Sequence, residues 1–173
     1  MIKVGFRTFS RCDKVVVMES RHRMKWIILA GSSNTRKTWT LTEVVIALVN
    51  RYGAQLVSPQ TLPSPNPAIP PNVWPYYNDD TYVLKFRDKL IVVKTDGDMS
   101  TTVAEGFKIA QGLNADILIS ASRARSRSSH IKTIDNKISS KQAEVYVIAA
   151  LDHSNVVKPA VVNWRVQQII NML

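Results

Sequence analysis

The chain has 173 residues, is 45% apolar and carries a formal net charge of +10. That length suits one domain with a full-sized core, and no apolar run approaches the roughly 20 residues needed to span a bilayer, so no membrane partner is expected. A single cysteine, Cys12, excludes an intramolecular disulfide and a cysteine-rich zinc site, and fits a reducing, cytoplasmic compartment.

Residues 1–23 read as a basic N-terminal extension, either an arm or a non-native upstream segment, with a net charge of +4. Their short run Val15-Val16-Val17-Met18 is unsuited to a secretory signal. The functional domain then spans residues 24–173 and holds the remaining +6. A basic surface favours sequence-independent contacts with polyanions, although many basic domains simply solvate their charge.

From Lys25 onward, strand-like and helix-like patterns alternate, predicting an α/β fold with a largely parallel sheet. Residues 26–30 form an unbroken apolar run, as in a strand buried on both faces. A helix follows over 39–52, with Leu41, Val44, Val45, Leu48 and Val49 as its buried stripe and Gly53 at its end. Residues 55–58 make a short strand. Residues 59–78 hold seven of the eight prolines and the aromatics Trp74, Tyr76 and Tyr77, and are expected to run extended over the surface. Those aromatics either pin the segment to the core or stack on a ligand, with Asp79 and Asp80 nearby.

A hairpin is predicted over 81–94, turning at 87–89. Thr102 and Glu105 have the spacing of a capping box, opening a helix to about residue 113 with Val103, Phe107 and Ala110 on its apolar side. Residues 116–121 form a buried strand, 122–130 a basic loop, 133–142 a short helix and 144–150 the last strand. A final helix beyond Pro159 is expected to bury Val162, Val166, Ile169, Ile170 and Leu173.

Three motifs carry chemistry. The first is Gly31-Ser32-Ser33-Asn34-Thr35-Arg36-Lys37-Thr38, placed between the first strand and the first helix, with Trp39 just behind it. This is the layout of a phosphate-binding loop, whose backbone N–H groups and lysine cradle phosphates at a helix N-terminus. Gly31 supplies the turn off the strand, Lys37 pairs with β- and γ-phosphate oxygens, and Thr38 offers its hydroxyl to a magnesium ion. Arg36 stands where the pattern G-x-x-x-x-G-K-[ST] has glycine. In a glycine-like conformation it costs about 1 kcal/mol or more, while adding a second cation beside the phosphates. A strand-turn-helix without a ligand is the plainer alternative.

On these eight residues the chain resembles the P-loop NTPase superfamily. The resemblance implies a three-layer αβα sandwich over residues 24–173, a nucleoside triphosphate (ATP or GTP) and Mg2+, with hydrolysis or phosphoryl transfer of the small-kinase or regulatory-ATPase kind. It further implies an acidic residue after an apolar strand to organise the metal. Asp96, following residues 90–95, is the first choice and Asp98 the alternate, unless Asp96-Gly97-Asp98 merely turns the chain.

The third motif is the loop 122–130, with Arg123, Arg125, Arg127 and His130. Its guanidinium groups suit either a lid that stabilises a transferring phosphoryl group or a grip on a nucleic-acid backbone or protein partner. Ligands in parallel sheets gather beyond the carboxyl ends of strands. Residues 31–38, Asp96/Asp98, the arginine loop and Asp152-His153 all follow predicted strands, so one sheet edge should collect them. Two competitors stand beside the NTPase reading: a non-catalytic module binding nucleic acid or protein, and a site for a phosphorylated metabolite or another anion.

Overall fold

The computed structural model describes residues 23–32, 35–65, 75, 77–97, 99–123, 134–136, 142–150 and 159–173. Six strands form one mixed sheet: β1 (Met24–Gly31), β2 (Gln55–Ser58), β3 (Thr81–Phe86), β4 (Lys89–Lys94), β5 (Ile117–Arg123) and β6 (Ala143–Ala150). The helices are α1 (Lys37–Tyr52), α2 (Ser100–Gly112) and α3 (Pro159–Asn171), with one further helical turn at 134–136.

The strand order is β2-β3-β4-β5-β1-β6. β1 pairs in parallel with β5 and β6, and β4 pairs in parallel with β5. β3 runs antiparallel to β4, and β2 antiparallel to β3. A parallel core of four strands is thus extended on one side by a hairpin. Its turn residues, Arg87 and Asp88, have φ of 47° and 61°, so the turn has two central residues in the left-handed region, the geometry that matches strand twist.

Why β1 is an interior strand, flanked by β5 and β6, follows from its composition. Trp26, Ile27, Ile28 and Leu29 are all fully buried, and successive strand side chains point to opposite faces. Ile27 and Leu29 pack with Leu41, Val44 and Leu48 of α1 and Val162, Val166 and Ile169 of α3. Trp26 and Ile28 pack with Val103, Phe107 and Ala110 of α2, and Ile134 joins that cluster. Trp26 and Phe107 meet with ring centroids 5.1 Å apart, and the indole N–H donates to Ser120 Oγ at 2.9 Å. Helices therefore cover both faces of the sheet. Among the described residues no helix is long and apolar enough to cross a membrane.

The predicted capping box is corrected. α2 begins at Ser100 after an extended Met99, and the Thr102 hydroxyl donates to Met99 O at 2.7 Å. Glu105 is instead drawn to Lys94 of β4, 3.7 Å away. The first helix opens at Lys37, two residues before the position read from the apolar stripe, because Lys37 and Thr38 are polar but already helical. Residues 1–22, Trp74, Tyr76 and most of the predicted helix 133–142 lie outside the described residues.

Candidate functional site

The parallel pairing brings the carboxyl ends of β4, β5, β1 and β6 to one edge. In register, Gly31 of β1 lies between Arg123 of β5 and Ala150 of β6. At this edge a cavity of about 250 Å³ is lined by Arg36, Lys37, Thr38, Trp39, Pro75, Tyr77, Asp79, Thr95, Asp96, Gly97 and Ala121. The start of α1 and the end of β4 thus share one cavity. Ser33, Asn34, Asp98, Arg125, Arg127, His130, Asp152 and His153 lie outside the described residues.

Gly31 is required by close approach rather than by a turn. A Cβ there would sit 2.7 Å from Ala150 O and 2.8 Å from both Ala150 Cβ and Thr35 Oγ1. Gly97 is under the same constraint, because a Cβ on it would fall 2.2 Å from Ala121 O. Both glycines let a loop lie flat against a neighbouring strand end.

Lys37 is 7% exposed. Its ammonium group donates to Gly31 O at 3.2 Å, Ser32 O at 2.8 Å and Thr35 Oγ1 at 3.5 Å. Thr35 in turn donates from Oγ1 to Ser32 O at 3.0 Å. The loop is therefore closed over the lysine stem by its own carbonyls. These are electrostatic contacts that an anion carrying full charge would outcompete.

Arg36 occupies the left-handed region, with φ 57° and ψ 37°. A side chain with a Cβ costs roughly 1–2 kcal/mol there, and such strain persists only where the surroundings over-determine it. No side-chain oxygen caps α1 at this position. The Arg36 Nε is buried and makes no hydrogen bond, and Arg36 is among the residues lining the cavity.

The acidic side holds a residue that local reading undervalued. Thr38 Oγ1 donates to Asp79 Oδ1 at 2.9 Å and lies 3.5 Å from Thr95 O. Asp79 is positioned by its neighbour. The Asp80 backbone is clamped to fully buried Thr95, with Asp80 N donating to Thr95 Oγ1 at 2.8 Å, Thr95 Oγ1 to Asp80 O at 3.1 Å and Thr95 N to Asp80 O at 3.0 Å. Asp96 lines the same cavity, half-buried. A carboxylate hydrogen-bonded to the Thr38 hydroxyl thus comes from the segment before β3.

Trp39 and Tyr77 are walls of the cavity fixed by one carboxylate. Trp39 Nε1 donates to Glu43 Oε1 at 3.2 Å and the Tyr77 hydroxyl donates to the same oxygen at 2.9 Å. Tyr77 therefore pins the proline-rich segment to α1. Burial, reinforced by Glu43, raises the Tyr77 phenol well above its ordinary value of 10.0. Burial also pushes Tyr82 up to about 12, with Asp80 adding to the effect. Both phenols hold their protons in the folded chain where an unfolded tyrosine loses them. Their stabilisation is whole below pH 10 and declines as the pH rises from there through the folded values. Urea denaturation is accordingly expected to show stability falling above about pH 10, with a shallower fall in Tyr82→Phe; an unchanged slope in that variant would refute the assignment.

One further residue enters from far along the chain. Arg165 of α3, only 2% exposed, donates from Nη1 to Thr35 O at 2.8 Å. No protein-family model, no curated protein and no solved structure matches this chain.

Proposed function

We propose that the chain is a P-loop NTPase-like protein that binds ATP or GTP with Mg2+ at residues 31–38. Hydrolysis or phosphoryl transfer is the chemistry such binding would serve. The observation that carries the reading is Lys37, buried at the start of α1 and following an interior parallel strand, its ammonium group resting on loop carbonyls. A buried ammonium group must be hydrogen-bonded or paired with an opposite charge, and the loop carbonyls that hold Lys37 can be exchanged for phosphate oxygens.

The residues fit both absent groups. For the triphosphate there is a cationic cradle: Lys37, the buried Nε of Arg36 and the N-terminal end of α1. For magnesium there are hard oxygen donors, the Thr38 hydroxyl and the Asp79 and Asp96 carboxylates. Mg2+ characteristically takes one or two carboxylates and fills its shell with phosphate and water. The cavity is below the size that encloses a drug-sized ligand, so it suits the phosphoryl end and the metal rather than the base.

When bound, the metal would supply charge neutralisation to the γ-phosphate. Lys37 turns its ammonium group from Gly31 O and Ser32 O to phosphate oxygens. Thr38 is held by Asp79 in the orientation that offers its oxygen lone pairs to a cation. Asp96 orients the attacking group from the end of β4, and Arg123, beside Gly31 in the sheet, approaches the phosphates from β5.

Titration with ATP, GTP and pyrophosphate, with and without magnesium, tests this reading. Saturable binding strengthened by magnesium, together with slow release of inorganic phosphate, is expected. Binding of pyrophosphate alone would instead identify an anion site. Asp79→Asn is expected to raise the magnesium concentration needed for half-maximal binding by roughly tenfold, the loss of one charged hydrogen-bonded contact. An unchanged requirement would return that role to Asp96.

A second reading is favoured by Arg36, a strained side chain where the phosphate-loop pattern has glycine. It makes the chain a non-catalytic module that holds nucleic acid or a protein partner through the basic loop 122–130. Binding to a DNA duplex that falls steeply with salt and ignores Lys37→Ala, without nucleotide binding, would establish it.

A further inference from the structure

We infer that Arg165 is a positioning residue of the phosphate loop, holding it from behind in the conformation that receives the anion; the inference rests on the nucleotide-binding reading above. Arg165 lies on the buried stripe of α3, alongside Val162, Val166 and Ile169. Packing alone would be satisfied by leucine at this position, and burying a guanidinium is expensive unless it is well hydrogen-bonded. Its Nη1 donates to a loop carbonyl, Thr35 O, 130 residues away in sequence.

That carbonyl matters because of peptide geometry. In a trans peptide the C=O and the following N–H point in opposite directions. Drawing Thr35 O toward α3 therefore turns the Arg36 N–H away from α3, and the cation polarises the same peptide so that its N–H becomes a stronger donor. Thr35 also ties the loop to itself through Ser32 O and Lys37 Nζ, so fixing Thr35 fixes both ends of the loop.

The left-handed Arg36 gives the hold its purpose. Glycine adopts that conformation without strain, whereas arginine must be kept there by its surroundings. Arg165 fixes the residue immediately before it. The consequence is a coupling between positions 36 and 165 that a purely structural arginine would not show.

The test is magnesium–ATP affinity by calorimetry, alongside thermal unfolding, for the full chain and for Arg165→Met, Arg165→Lys, Arg36→Gly and the Arg36→Gly/Arg165→Met pair. Arg165→Met is expected to weaken binding roughly tenfold, the effect of one charged hydrogen bond. Arg165→Lys should recover part of the loss. In the Arg36→Gly background the same substitution should cost less than about threefold, because the loop no longer needs the hold. Equal losses in both backgrounds, or a lowered melting temperature with unchanged affinity, would overturn the positioning role. If Arg165→Met does not fold, Arg165→Gln carries the comparison. Binding by the parent chain that is lost in Lys37→Ala but indifferent to Arg165 would overturn this inference alone. No binding by the parent chain would overturn the nucleotide reading and this role with it.

Discussion

Gly97→Ala is expected to destabilise the protein by about 3 kcal/mol, at the upper end of what overpacking a well-filled site costs. The new Cβ would lie 2.2 Å from Ala121 O, 2.3 Å from Ala121 C and 2.8 Å from Ala121 Cβ. Two of those atoms are backbone of β5, which is held on one side by β4 and on the other by β1. They have no flexible end to move. Relief must come from the loop at 95–97, and Thr95 there is fully buried and tied to Asp80. The strain therefore spreads into the segment that holds Asp79 against Thr38. For a domain of this size the loss corresponds to roughly a 10 °C drop in melting temperature. Nucleotide affinity should fall in the same variant even at temperatures where it is folded. A melting temperature within a degree or two of the parent would show that the loop can lift off β5 freely.

Lys37→Ala is expected to weaken magnesium–ATP binding about 100-fold. The lysine offers several donors on one point charge, and replacing two charged hydrogen bonds to phosphate oxygens by water costs that order of affinity. Stability should fall only modestly, because Ser32 O keeps a donor in Thr35 Oγ1. A general loss of positive charge is separated from this specific effect by Lys89→Ala. Lys89 begins β4 at the opposite sheet edge, and its ammonium group donates to Leu173 O at 2.9 Å. That variant carries the same charge change and should bind as the parent does. Equal weakening in both would mean that the nucleotide responds to net charge and not to the loop.

The strand and helix layout was legible because it is written in local periodicity. The continuous apolar run at 26–30 and the stripe Leu41, Val44, Val45, Leu48 each depend on residues within a few positions. The convergence of Gly31, Asp96 and Arg123 on one edge followed from assuming parallel strands, and the pairing of β1, β4 and β5 bears out that assumption.

What the sequence hid depends on distant partners. The hydroxyl of Thr38 meets Asp79, 41 residues on, because β3 runs antiparallel to β4 and so starts at the edge where β4 ends. Arg165 carries no local signal in the last helix, and its role depends on a carbonyl partner at Thr35, 130 residues away. The spacing of Thr102 and Glu105 misled for the same reason, since Lys94 on a neighbouring strand competes for the carboxylate. Asp96-Gly97-Asp98 reads as a chain turn, and nothing local conveys that Ala121 of β5 lies against Gly97. Arg36 was the exception. Its departure from the phosphate-loop pattern was visible at once, and its φ of 57° locates the cost in the backbone.

Whether the backbone of residues 31–38 wraps an anion is decided by amide chemical shifts measured during a magnesium–ATP titration. Large, saturable shifts of the N–H signals from Ser32 through Thr38 are expected, absent in Lys37→Ala. Loop amides that stay still while nucleotide-induced shifts gather elsewhere on the basic surface would contradict anion binding by this loop.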